Sequence, residues 1–227
     1  GGAEGRPTAT AQGGLFVFDV WRERLHLPIS CSVVVQGLGN VGGNATEFWG
    51  NAGHKIIGVS DSRGAIRQDN GLDMAAVFAH KQEHGTVAGF PNATTITAEE
   101  LLLIPCDLLI PAALENQITE KNADRVGAKV ILELANGPTS TEADEILFQK
   151  GVVVLPDILA NAGGVTVSTF EWEQNRKRQH WSEQEVNDKL KQKMEKATKN
   201  VFALSQELST DLRRAAFVLA IFSTTAV

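Results

Sequence analysis

The sequence is short of several things that would fix a functional class, and each shortage removes one. Cysteine occurs only as Cys31 and Cys106 in 227 residues. Each stands beside an apolar run, so the pair reads as two small buried hydrophobes and not as a disulfide framework. That usage fits a reducing compartment, and the expected location is cytoplasmic, with an organelle matrix as the alternative. Positive charge is scarce: 21 Lys and Arg against 27 Asp and Glu give a formal charge of −6 and a pI near 5.4. A nucleic-acid surface needs clustered cations to displace counterions, so no nucleic-acid partner is expected. The one basic cluster, Arg176-Lys177-Arg178, has the character of a solvated helix face. Long apolar runs are missing too: the longest, Leu101 to Leu114, is broken by Pro105, Asp107 and Pro111 and is too short for a bilayer, so no membrane partner is expected. No secretory signal is visible in the sequence given, and no internal repeat, low-complexity linker or nucleophile elbow is found in it.

What is present is a globular composition, 43% hydrophobic and 21% charged, in a chain long enough to bury a substantial core. The most informative stretch is Val33-Val34-Val35-Gln36-Gly37-Leu38-Gly39-Asn40-Val41-Gly42-Gly43. A β-branched strand runs into glycines spaced G-x-G-x-x-G and then into a helical pattern. Each glycine has its own task there: Gly37 for the tight turn, Gly39 for close approach of backbone to a pyrophosphate, Gly42 for close packing of helix on strand. A helix starting near Asn40 aims free N–H groups and the positive end of its dipole at the phosphates. Asp61 closes a second strand, His54 to Asp61, and lies 19 residues beyond Gly42, near the spacing of a ribose-binding carboxylate. Asp61 favours NAD, whereas Ser62 and Arg63 just after it are able to donate to the extra phosphate of NADP, so the preference for NAD is slight.

The rest of the chain repeats one beat. A helix over 10–27 ends before Pro28; strands are expected at 32–36, 55–60, 107–110, 129–134 and 152–155. Helices are expected at 40–52, 72–84, 119–126 and 139–150, with a short one after the capping box Thr97-x-x-Glu100. Asn161-Ala162-Gly163-Gly164 leads into another helix. Ser182-x-x-Glu185 then caps a long amphipathic helix, and a last helix spans about 211–221. The pattern predicts an α/β fold: one Rossmann-like, doubly wound, mostly parallel sheet with C-terminal helices. Ligands sit at the carboxyl ends of such strands. Several of these carry small or amide residues, as in Pro111-Ala112-Ala113, Ala135-Asn136-Gly137 and Pro156-Asp157. The small Ala112 and Ala113 let a flat cofactor approach.

Four segments together resemble the cofactor-binding domain of glutamate dehydrogenases, within the glutamate, leucine, phenylalanine and valine dehydrogenase family. They are Gly1 to Thr10 (GGAEGRPTAT), Gln36 to Gly42 (QGLGNVG), Ala135 to Thr139 (ANGPT) and Pro156 to Trp172 (PDILANAGGVTVSTFEW). The resemblance runs over nearly the whole chain. It implies that Thr10 and Asn40 contact a nicotinamide dinucleotide, NAD or NADP, beside the turn residues Gly37, Gly39, Val41 and Gly42. It puts Asn136 and Asn161 near the nicotinamide and its ribose. Ser168 matches a serine that holds the side-chain carboxylate of glutamate, with Val165 lining the same pocket. The implied reaction is reversible oxidative deamination of glutamate to 2-oxoglutarate and ammonia. In the family the acid/base lysine comes from a glycine-rich segment of another, N-terminal domain, and no such segment stands here, so no catalytic residue is assigned. The implied organisation is one NAD(P)-binding domain over 1–227, with the catalytic domain outside this sequence. The full-length protein is expected to be a homo-hexamer. The first residue is Gly1, not Met, which fits a chain that begins inside a longer one.

Three alternatives stand beside this. His80 and His84 share a helix face at metal-ligand spacing, yet no third ligand is evident, so no metal is expected. A 2-hydroxy-acid or alanine type of dehydrogenase needs a catalytic His with a partner carboxylate, which the sparse histidines do not supply. A non-catalytic nucleotide sensor would keep the fold and lack the chemistry. The tail Ala220 to Val227 departs from the charged helix expected at the family's end.

Overall fold

A computed structural model describes residues 3–225, with side chains through Phe222. Gly1 and Gly2 of the opening segment and Ala226 and Val227 of the tail lie outside the described residues. Chain order is α1 Ala9–Arg24, β1 Ser32–Gln36, α2 Asn40–Asn51, β2 Lys55–Ser60, β3 Ala65–Arg67, α3 Met74–His84, β4 Thr94–Ile96, α4 Ala98–Leu102 and β5 Cys106–Pro111. There follow β6 Ala128–Leu132, α5 Thr141–Gln149, β7 Val153–Leu155, α6 Asp157–Ala160, α7 Gly163–Lys177, α8 Glu183–Leu208 and α9 Leu212–Thr225.

Seven strands form one sheet in the order β4-β3-β2-β1-β5-β6-β7. The five strands from β2 to β7 through β1 are parallel, while β3 and β4 add an antiparallel edge. The run Val33-Val34-Val35 shows no polar alternation because β1 is covered on both faces. Val33 and Val35 pack toward Trp49 of α2 and Phe18 of α1, and Val34 toward Leu101 and Leu102 of α4. From β1 the chain winds to β2 on one side and later returns to β5 on the other. The carboxyl ends of β1 and β5 therefore flank the topological switch point, where such sheets open a crevice.

The expected strands and most expected helices are present, with ends shifted by a few residues where side chains cap. Asp73 caps α3 by accepting from Ala76 N–H, and Ser140 caps α5 by accepting from Ala143 N–H. Both predicted capping boxes form, at Thr97/Glu100 and Ser182/Glu185. The helix expected over 119–126 is replaced by a loop with one 3-10 turn, Ala123–Arg125. Asn122 accounts for this: its Oδ1 accepts from Thr119 N–H at 2.9 Å and its Nδ2 donates to Gln117 O at 3.0 Å, so the side chain takes over backbone groups that a helix would use. The three-residue strands β3 and β4 were not expected, being too short to show a period of two.

Beneath β1 and β2, His54 is buried and its Nδ1 accepts the Cys31 N–H at 3.1 Å, while Phe18 meets the ring edge-on at 5.7 Å. Burial, helped by the nearby Arg22 charge, lowers its pKa below the usual 6.5. The folded chain therefore holds His54 neutral where the unfolded chain takes a proton, and stability falls as pH drops below about 6.5. Urea denaturation between pH 7.5 and 5.5 should show this slope, and His54→Asn, which keeps an acceptor without the titration, should flatten it.

Candidate functional site

The glycine turn joins β1 to α2 at the switch point. Gly37 has φ +93°, a left-handed conformation, and a Cβ there would stand 2.8 Å from Ala113 Cβ, beyond the end of β5. A Cβ on Gly42 would stand 1.7 Å from Gly37 O, so helix and turn touch backbone to backbone. Gly39 differs. A Cβ there would meet nothing within 4 Å, its backbone is extended, and it is the N-cap of α2 without a capping side chain. The N–H groups of Asn40, Val41 and Gly42 donate to no acceptor in the chain among the described residues. Nothing inside the chain requires glycine at 39, whereas an anion drawn onto those N–H groups does. Lys81 of α3 fastens the turn from outside, donating to Leu38 O at 2.6 Å.

Asp61, just past β2, is largely committed to its own loop. Oδ1 accepts from Arg63 N–H, Gly64 N–H and Thr86 Oγ1, and Oδ2 from Val87 N–H at 2.7 Å. One lone pair of Oδ2 is left for a further donor. Ser62 and Arg63 are exposed beside it.

On the other side of the crevice, the turn after β6 and the start of α7 meet: Asn161 Nδ2 donates to Asn136 Oδ1 at 2.8 Å. Helix α7 crosses α1 at glycine on glycine. A Cβ on Gly163 would stand 2.1 Å from Ala9 O, and one on Gly13 2.8 Å from Gly163 Cα. The same crossing brings Thr10 Oγ1 to Gly164, where an added Cβ would lie 2.7 Å away. It also brings Arg6, which donates from Nε to Ser168 Oγ at 2.8 Å, while Ser168 donates to Gly164 O at 3.2 Å. Val165, one turn before Ser168 on α7, is 66% exposed. Across the loop, Asn40 and Asn44 both reach Pro7 O at 3.4 Å. The fold thus gathers Thr10, Gly37–Gly42, Ala112, Ala113, Asn136, Asn161, Val165 and Ser168 around the sheet's carboxyl edge, with Asp61 behind the next strand.

Arg6 is the residue that sequence reasoning left without a role. It stands inside the segment that carries the resemblance, but only the α1/α7 crossing shows what its guanidinium faces. His80 and His84 stack ring on ring at 4.2 Å, with ring nitrogens at Ala88 O and His80 O, and no further metal-ligating group joins them among the described residues. No helix of the described residues is long and apolar enough to cross a membrane.

The sheet order and the turn define an α/β domain of the doubly wound, Rossmann-like class. The chain belongs to the Glutamate/Leucine/Phenylalanine/Valine dehydrogenase family, whose profile matches residues 1–226. It is 46% identical over 231 residues to an NADP-specific glutamate dehydrogenase of Synechocystis, covering 97% of this chain and 54% of that protein. It is 43% identical over 222 residues to an NAD-specific glutamate dehydrogenase of Staphylococcus aureus, covering 97% and 53%. Among solved structures, the hetero-hexameric glutamate dehydrogenase of Thermus thermophilus in a Leu-bound form superposes with a TM-score of 0.91 at 30% identity, covering 98% of this chain and 53% of that one. The enzyme of Peptoniphilus asaccharolyticus superposes at 0.85 and 35%, covering 99% and 53%. The chain spans about half the length of the curated relatives it matches.

The two outer glycines of the helix start separate packing from ligand approach. Gly42→Ala should destabilise the chain by about 1–3 kcal/mol through overpacking against Gly37 O, whereas Gly39→Ala should stay within about 1 kcal/mol of the parent, both read from urea denaturation.

Proposed function

We propose that this chain is the dinucleotide-binding half of a glutamate dehydrogenase, and that it holds NAD or NADP across the sheet's carboxyl edge. The observation that carries the reading is the turn at the switch point: three unpaired N–H groups of α2 stand over a glycine that no neighbour inside the chain requires. The pyrophosphate belongs there, Val41 and Asn40 beside it, with Ala112 and Ala113 leaving room for the cofactor to cross the end of β5. When bound, the nicotinamide supplies the hydride acceptor. Asn136 and Asn161 serve its carboxamide and ribose, and Thr10 of α1 reaches the same end. Relatives named for either cofactor match this chain almost equally, at 46% and 43%. The remaining lone pair of Asp61 supports the slight preference for NAD, and Ser62 and Arg63 support acceptance of NADP.

For the substrate, Arg6 and Ser168 form a carboxylate-binding pair. The guanidinium brings charge and several donors, and the hydroxyl turns from Gly164 O to a substrate oxygen. Val165 walls the same pocket. A glutamate side chain satisfies such a pair, and an aliphatic one leaves it unsatisfied, which is the basis of strong discrimination. A non-catalytic sensor shares the cofactor groups, but gains nothing from Arg6 and Ser168, so the pair favours the dehydrogenase. Water attack on the oxidised substrate needs an acid/base of shifted pKa. No glycine-rich lysine segment of the family kind occurs in this sequence, and we place that group in a second domain of a longer protein. That longer protein is expected to assemble from six copies; the hetero-hexameric Thermus relative supports an oligomer of that size.

The purified chain should bind NADH or NADPH, seen as a change in nicotinamide fluorescence, and should not oxidise glutamate with either oxidised cofactor. Gly39→Ala should weaken binding about tenfold or more while leaving the fold intact. Failure of both reduced cofactors to bind would overturn the reading, turnover would overturn the placement of the acid/base group, and tighter NADPH than NADH would overturn the preference for NAD.

A further inference from the structure

A buried polar cluster lies outside the crevice, around Arg213. Arg213, at the start of α9, has a side chain only 18% exposed and reaches three carboxylates at once. Its Nη2 donates to Glu133 Oε1 at 2.7 Å and to Asp144 Oδ1 at 3.2 Å, its Nη1 to Asp157 Oδ1 at 3.0 Å, and its Nε to Asp144 Oδ2. Glu133 is fully buried at the end of β6, Asp144 sits on α5, and Asp157 opens α6. Burial raises the pKa of Glu133 and of Asp144, and the hydrogen bonds from Arg213 act against that rise. A cluster of one guanidinium and three acids is a costly arrangement when it serves stability alone, since well-packed apolar side chains serve as well or better.

What distinguishes the cluster is where its far end leads. Asp157 is also bound through its own backbone, its N–H donating to Glu133 Oε2 at 2.8 Å. Its second carboxylate oxygen accepts the N–H of Gly137 at 2.8 Å. Gly137 has φ +53° and closes the turn Ala135-Asn136-Gly137, whose other face receives Asn161. Asn161 in turn donates its backbone N–H to Asp157 O at 3.0 Å, so both amides of the nicotinamide end are referred to one aspartate. That aspartate is held by one arginine, 56 residues further along the chain.

We propose that Arg213 is a positioning residue for the nicotinamide end of the cofactor site: through Asp157 it fixes the turn that carries Asn136 and the backbone that carries Asn161. This rests on the dinucleotide reading of the crevice. Arg213 donates to Glu133, Asp144 and Asp157 and to none of the residues assigned to the cofactor or the substrate. It acts by fixing the carboxylate that holds the turn, and a small misplacement of such groups is enough to cost a large factor in binding or rate. The pyrophosphate turn at Gly37–Gly42 lies beside β1 and β5, and among the described residues no hydrogen bond or ion pair joins it to this cluster, so the effect falls on one half of the cofactor.

That asymmetry supplies the test. ADP carries the adenosine and pyrophosphate and lacks the nicotinamide and its ribose, so it reports on the unaffected half. In Arg213→Lys, which keeps the charge but cannot span three carboxylates, NADH should bind about tenfold more weakly while ADP binds as in the parent. Should Arg213→Lys fail to fold, Asp157→Ala cuts the link to Gly137 and reduces the excess negative charge, and should show the same selective loss. Unchanged NADH binding in a folded variant overturns the proposal. So does an equal loss for NADH and ADP, which would mark the cluster as general fold support. Absence of NADH binding by the parent chain would instead overturn the dinucleotide reading on which the proposal rests.

Discussion

Everything at the crevice depends on a contact between two pieces of backbone, the approach of Gly42 to the carbonyl of Gly37. Helix α2 comes so close to the end of β1 that no side chain fits between them. The first turn of the helix, with its unpaired N–H groups, is therefore held at the mouth of the sheet and cannot swing to find other acceptors. Alternative ways of satisfying those groups, a capping serine or aspartate above all, are absent because the N-cap is Gly39. The result is a local deficit of hydrogen-bond acceptors, and a deficit of that kind at a helix start has a defined sign, since only negative charge or a lone pair fills it.

A second backbone contact, between α1 and α7 at Gly13 and Gly163, does for the Arg6–Ser168 pair what the first does for the start of α2. It brings the loop with Arg6 and the helix with Ser168 together although 162 residues separate them. The two contacts share α1 as a neighbour, because α1 packs against both α2 and α7. The crevice is thus bounded by three helices, with α7 set against α1 and α2 set against the end of β1 by glycines, and the polar groups that face it inherit that spacing.

How much of this could be read from the sequence varies with the physics involved. The five parallel strands were legible because burial on both faces makes them apolar throughout, and Val33-Val34-Val35 says so without help from context. β3 and β4 were not, since three residues carry no period. The helix expected over 119–126 failed because the apolar spacing said nothing of Asn122 seizing the local backbone. At the site, the turn glycines were legible from their separate tasks and Asn136 from its place at a strand's carboxyl end, whereas Asn161 and Ser168 gained meaning only from resemblance. Arg6 and Arg213 stayed hidden for the same reason: a lone arginine in a loop or on a helix looks solvated, and its partners lie far along the chain.

The glycine crossing of α1 and α7 also bears on motion. Where side chains separate two helices, a change of rotamer lets one shift past the other; where backbones touch, no such slack exists. Thr10 of α1 and Val165 and Ser168 of α7 therefore sit at a spacing fixed by backbone contact. Any movement that displaces Ser168 must carry α1, and Thr10 with it.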